Sequence, residues 1–300
     1  MSHKVFMTSN GSSLPTQLSP PSSRRSILRE LFARPASALG TTIFLLFVLL
    51  AICGPLLAPY ELNQQIYSDA RQAPSATHWF GTDNLGRDVF SRVILGARDI
   101  LTLSGLGTLL AVLSGVTFGL ISGYYGGLLD ELIMRFFDSL LAMPALLLAL
   151  LLLGILGPAV SSVMIVIVVV YTPIVARVVR SVVLSVKTKA FVEAARIQGE
   201  SLWRILFREI LPSVLPALAV EASLRFSYAI FLVASLGFLG VGVQPPSPNW
   251  GLMVNEARQH VSQLPWALYF PAGAIAIVVI GVNLMADGLK RVWQGGAIGK

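Results

Sequence analysis

The sequence predicts an all-α, polytopic membrane protein with six transmembrane helices. Apolar residues make up 55% of the 300 residues and charged ones 12%, and mean hydropathy is +0.74, a balance that a water-facing surface does not sustain. The apolar residues fall in runs near the roughly 20 residues that cross a bilayer as a helix. Basic residues fall between those runs, and unevenly on the two sides.

Residues 1–23 are rich in Ser, Pro, Asn and Thr and lack an apolar period, so they read as the disordered start of a tail covering 1–35. Arg24, Arg25, Arg29 and Arg34 lead into the first span, Ala38 to Ala58. Ser23 to Arg29 imitates a twin-arginine signal, and Leu50 to Cys53 imitates a lipoprotein cleavage box. Ile52 is too large for the position before a lipidated cysteine, and five more spans follow, so an uncleaved helix is the reading. Cys53 is the single cysteine, which rules out an intramolecular disulfide and a cysteine-rich metal site.

The remaining spans are Ile100–Tyr124, Leu132–Ile155, Val160–Val183, Leu215–Val243 and Trp266–Leu284. Tyr124 to Asp130 and Gly157-Pro158 are tight links, which makes spans two to four successive hairpins. An even number of spans puts both termini on one side. That side carries sixteen of the 22 Lys and Arg, the other side five, and Arg225 lies inside span five. The positive-inside bias therefore places both termini in the cytoplasm. Residues 36–292 form the membrane domain, with outer segments 59–99 and 244–265, a cytoplasmic loop 184–214 and a tail 293–300. The formal charge of +7 would suit nucleic acid, but Lys and Arg form no stripe interleaved with stacking aromatics, so no nucleic-acid partner is expected.

The loop 184–214 is long, charged and helical in pattern. Ala190 to Gly199 reads as a short helix ended by glycine, which tolerates a left-handed C-terminal conformation. Leu202 to Leu211 reads as a second amphipathic helix closed by Pro212. Glu193, Ala194 and Ala195, then Gly199, then Ile210-Leu211-Pro212 resemble the "EAA" loop of importer-type ABC permeases. The resemblance implies a coupling helix that docks into a cleft on a cytoplasmic ATPase. One departure stands out: the family's isoleucine falls two residues before Leu-Pro, where this chain has Glu209. Apart from the resemblance, the same stretch suits an amphipathic helix lying on the lipid surface.

The outer segments resemble those of the second permease in dipeptide, oligopeptide and nickel importers. The resemblance rests on His78 to Arg92, containing Gly81, Thr82, Asp83, Gly86, Arg87 and Asp88, on Ala234 to Gly251, and on Asn283 to Lys290. Asp83, Arg87 and Asp88 are expected to form exposed ion pairs worth about 0–1 kcal/mol each. Asp83, Asn84 and Asp88 lack the spacing of a calcium loop, and no metal site is expected. Pro245, Pro246 and Pro248 stiffen the second outer segment, as a lip for a docked binding protein or as a plain interhelical loop.

Taken together, the resemblance implies the type I ABC importer permease fold. It implies a homologous second permease, two cytoplasmic ATPases that bind ATP and Mg, an extracytoplasmic solute-binding protein and surrounding lipid. The chain itself has no G-x-x-x-x-G-K-[ST] segment, so it is expected to be no enzyme and to hold no cofactor. A membrane-embedded hydrolase would need His-Glu-x-x-His or Gly-x-Ser-x-Gly, and neither is present. A stand-alone channel or secondary transporter would leave the 184–214 loop without a partner. Within span five, Glu221 and Arg225 have ion-pair spacing, roughly 7–14 Å past Pro216 along the helix. They either border a translocation path with Ser223, Ser227 and Tyr228, or form an interfacial pair with no specific role. Dipeptides, longer peptides, glutathione and nickel chelates are all open as solutes.

Overall fold

The computed structural model describes residues 31–298. Among them the regular elements are helices, with one isolated bridge between Thr82 and Asp88. The tail expected at 1–35 lies almost wholly outside the described residues, as does Lys300.

Helix α1, Pro35–Leu57, enters through a proline in its first turn, where the missing N–H costs nothing. Helix α2, Val89–Tyr125, starts well before the expected Ile100. Asp88 caps it by accepting from the Ser91 amide at 2.7 Å, so the end of the first outer segment is helical. Helix α5, Val160–Val186, packs along α2. Small residues make this possible: a Cβ added at Gly107, Gly115, Gly119 or Gly123 would stand within 3 Å of Ile167, Val175, Val179 or Val183 in turn. Helix α1 reaches α9, Pro265–Ile298, by the same device at Gly40 and Gly281.

The third span is not the continuous helix expected over Leu132–Ile155. It is α3, Gly127–Leu141, and α4, Ala145–Leu156, bent by 93° at the break. Pro144 lacks an amide hydrogen and disfavours helical geometry at Met143, which ends α3 inside an apolar run. Among the described residues, five helices are individually long and apolar enough to cross a membrane, and six spans result when the bent pair counts as one.

Beyond the short α6, Ala190–Ile197, the expected second loop helix and the fifth span are one element, α7, Leu202–Phe238. Pro212 does not close it. Residues Ile205–Ile210 widen into a π turn, with the Leu211 amide reaching back to the Leu206 carbonyl. That turn accommodates a proline that cannot donate to Arg208. The expected end of span five at Val243 is also corrected: Gly240, at φ +77°, follows Phe238 in a turn. Helix α8, Trp250–Arg258, sits in the second outer segment.

Two apolar clusters organise the bundle. One runs through the middle of the bundle and the end that carries α8, around Ile100, Ile167, Ile230 and Trp250. The other joins Leu120, Val179 and Val183 at the ends of α2 and α5 to Val192, Ala195, Ile205, Leu206 and Ile210 of the loop.

Candidate functional site

The loop is a knob built on the second cluster. Val192 and Ala195 turn inward onto Ile205, Leu206 and Ile210, whereas Glu193 and Ala194 face outward. The two alanines therefore divide their work, one packing the knob and one leaving its surface flat. The α6 C-terminus closes with the Glu200 amide on the Ala195 carbonyl at 3.1 Å and Gly199 at φ +74°, the left-handed stop that glycine supplies. Ile210 is fully buried, and Glu209 at the family's isoleucine position is half-buried. Pro212 is exposed on α7 just past the knob.

Polar contacts fix the knob to the bundle. Lys187 Nζ donates to the Gly123 carbonyl at 2.8 Å, a cation at the α2 C-terminus where the helix dipole favours it. The Arg196 guanidinium lies 4.8 Å from the Tyr124 ring centre. Arg180 holds Asp130 in a two-point ion pair that joins α5 to α3. The outward surface is apolar nonetheless: Ile197 is 81% exposed, Trp203 is 70% exposed with its ring tilted against Phe207 at 4.1 Å between centres, and Phe191 stands clear of the core. Such a patch on a charged loop marks a contact surface.

A second feature is a cavity of about 300 Å³ at the bend of the third span, walled by α3, α4, α5 and α7. Of the expected path residues, Arg225 and Tyr228 line it, and Glu221, Ser223 and Ser227 do not. Arg225 Nε lies 2.8 Å from Glu221 Oε1, but the N–H does not point at the carboxylate, so the contact is ionic without a hydrogen bond. Ser223 Oγ donates to the Ala219 carbonyl at 2.9 Å, and Ser227 Oγ is buried without a partner. Tyr171, whose ring centre lies 5.8 Å from the Arg225 guanidinium, also lines the cavity. The sequence reading missed it, although a lone tyrosine in a valine run is a legible signal.

The family match decides the identity of the fold. Residues 115–294 match the family described as "Binding-protein-dependent transport system inner membrane component". The chain belongs to this permease family. Residues 22–74 of the permease also match "N-terminal TM domain of oligopeptide transport permease C". It is 42% identical over 289 residues to the dipeptide transport system permease protein DppC of Alkalihalophilus pseudofirmus, covering 96% of this chain and 95% of that one. It is 39% identical to the glutathione transport system permease protein GsiD of Pectobacterium atrosepticum, over 86% and 87% of the two chains. The fold matches an inward-facing structure of the MetNI methionine ABC transporter with TM-score 0.55 at 16% identity, covering 68% of this chain and 96% of that one. The permease is thus a multi-pass membrane subunit of an ABC importer with the type I fold.

At the permease's other end from the knob, the 59–88 segment is a folded cap. Gly81 and Gly86 take φ +70° and +74°, and a Cβ on Gly86 would lie 2.1 Å from the Ile66 carbonyl oxygen. Thr82 Oγ1 donates to the Asp69 carbonyl, and the Thr82 carbonyl accepts from the Trp266 indole at 3.0 Å. The ion pairs expected to be exposed are buried: Arg87 and Asp88 are each 5% exposed. Arg87 pairs with Asp83 and reaches Glu256 of α8 at 2.6 Å. Asp88 does not pair with Arg87. It caps α2 and meets His78 Nδ1 at 2.9 Å, with His78 stacked on Tyr60. Removing one member of such a buried set costs about 3–5 kcal/mol, because the remaining charge is left unpaired, which replaces the smaller value expected for exposed pairs. Glu256 and Trp266 are missing from the sequence-derived set because their partners are remote in the chain.

Proposed function

We propose that this permease imports di- or oligopeptides, powered by ATP that two cytoplasmic ATPase subunits bind with Mg and hydrolyse. The exposed apolar knob carries the reading: Ile197, Trp203 and Phe191 form a surface suited to a partner's cleft, and Glu193, Ala194, Ala195, Gly199 and Pro212 belong to it or flank it. The subunit would pair with a homologous second permease, with the path between them, and receive solute from an extracytoplasmic binding protein that docks on the outer cap of Gly81 to Asp88 and the proline-rich segment. Closure of the ATPases would move the knob, and rigid-body tilting of the helices would alternate access. The cytoplasmic-membrane location, the division into a tail, a membrane domain and the 184–214 loop, and the placing of both termini in the cytoplasm belong to the same proposal. Glu221, Ser223, Arg225, Ser227 and Tyr228 would border the path. Relatives named for glutathione transport favour one second reading, in which the solute is that peptide-like thiol.

Co-purification tests the class. The permease expressed with its neighbouring ATPases should hold both through detergent extraction, and release of the ATPases on deletion of residues 190–199 is expected. Retention after deletion would remove the knob from the interface. Topology is checked separately with single cysteines in a Cys53→Ser background. An impermeant thiol reagent on intact cells should label probes at Ser75 and Ser262 and spare one at Ser201, and the reverse pattern would invert the orientation.

A further inference from the structure

Arg225 lies midway between Pro212 and Phe238, about 20 Å of helix from each at 1.5 Å per residue, which is too deep for an interfacial role. A guanidinium at such depth is costly and faces protein or water. Among the described residues it is the one formally charged side chain lining the cavity at the bend. Glu221, one turn earlier, pairs ionically with it, Oε1 standing 2.8 Å from Nε, and does not line the cavity. Among the described residues no hydrogen bond engages its terminal nitrogens. Tyr228 holds the guanidinium carbon 4.8 Å from its ring centre, a contact that positions the cation without neutralising it. Ser235, also at the lining, spends its hydroxyl hydrogen on the Phe231 carbonyl at 2.8 Å. The cavity is thus lined by a guanidinium whose Nε edge is paired with Glu221, while its terminal N–H groups make no hydrogen bond among the described residues, in an apolar surround.

We propose that this cavity is a subsite for the free carboxylate of a short peptide in transit, with Arg225 taking the carboxylate and the leucine-rich wall of α3 and α4 taking the adjacent side chain. The chemistry fits on three counts. Guanidinium and carboxylate pair through two parallel hydrogen bonds. Burial strengthens that pairing over its value in water. A volume of about 300 Å³ is at the small end for ligand pockets, enough for one end of a peptide and not for a long chain. The proposal rests on the reading that the chain lines an import path, and it adds the chemical group that the path recognises.

The test uses the assembled transporter, with Cys53→Ser and Ser235→Cys, labelled in both the nucleotide-free and the vanadate-trapped state. Labelling rates are compared for two methanethiosulfonate reagents, one bearing a sulfonate and one a trimethylammonium group, each corrected for its rate on a free thiol. The anionic reagent is expected to win by about tenfold, the scale of one nearby charge in a partly desolvated site. Arg225→Lys should keep the preference and Arg225→Gln should remove it. Alanyl-alanine at millimolar concentration should slow labelling, and its C-terminal amide should not. Equal rates for the two reagents, or equal protection by acid and amide, would overturn the carboxylate subsite while leaving the path reading standing. Silence of the cysteine toward both reagents in both states would take the cavity off any aqueous path and overturn both. The wild-type charge preference and the acid–amide comparison decide the matter even where Arg225→Gln fails to assemble.

Discussion

Gly199→Val is expected to lower coupled uptake about tenfold or more while leaving the permease inserted at its normal level, a loss equivalent to about 1.4 kcal/mol. The cause is torsional. Gly199 sits at φ +74°, and a Cβ there would meet nothing within 4 Å, so crowding contributes nothing. An L-residue in left-handed geometry costs about 1–2 kcal/mol, and β-branched side chains are the least tolerant. That penalty acts on the stop that aims α6, not on the buried cluster beneath it. Asparagine visits the left-handed region more readily than other side chains, so Gly199→Asn should retain most uptake and Gly199→Ala should fall between. The series is read by peptide uptake into proteoliposomes, beside membrane abundance and ATPase co-purification. Wild-type uptake by the valine variant would remove Gly199 from coupling, and loss of the variant from the membrane would assign the residue to folding.

The helices and the stop of the knob were legible in the sequence because the residues that form them are local. Alanine-rich helix formers, a glycine stop and an amphipathic stretch lie within one 31-residue loop, 184–214. Spans were legible for a different reason, since apolar length reports bilayer crossing directly. Hydropathy does not report direction, however, so the 93° bend at Ala142–Pro144 is invisible to it, although Pro144 carried a local warning. Pro212 misled in the opposite sense: read as a helix stop, it is absorbed by a π turn that only the packing of Ile205, Leu206 and Ile210 makes worthwhile.

The 59–88 cap was the least legible part. Arg87 and Glu256 are separated by 169 positions, and Thr82 and Trp266 by 184. No local spacing announces such pairs, and without them Asp83, Arg87 and Asp88 look like an exposed cluster. Arg225 shows the intermediate case. Its spacing from Glu221 was readable, but the cavity on its far side needs Tyr171 from α5 and the broken third span, which the chain brings together only on folding.

Two tryptophans should separate folding from coupling. Among the described residues Trp250 is the largest fully buried side chain; its indole donates to the Val93 carbonyl at 2.9 Å and its ring meets Phe47 edge-on at 5.6 Å. It also fills the space beside Gly96, where a Cβ would lie 2.5 Å from the indole nitrogen. Trp250→Ala is expected to cost about 3–5 kcal/mol, the transfer loss plus an unfilled cavity, and to detach α8 from α2. Trp203 is 70% exposed on the knob, so Trp203→Ala should change stability by no more than about 0.5 kcal/mol. Its cost appears only in the complex, where a tryptophan in a docking surface commonly contributes about 2 kcal/mol or more. The measurements are thermal unfolding of the detergent-solubilised permease and ATPase capture at matched folded concentration. Trp250→Ala should lower the unfolding temperature and leave capture by the folded fraction unchanged; Trp203→Ala should do the reverse. If Trp203→Ala captures ATPase as wild type does, Trp203 lies outside the docking surface, and the contact must lie on the Glu193–Ala194 side of the knob.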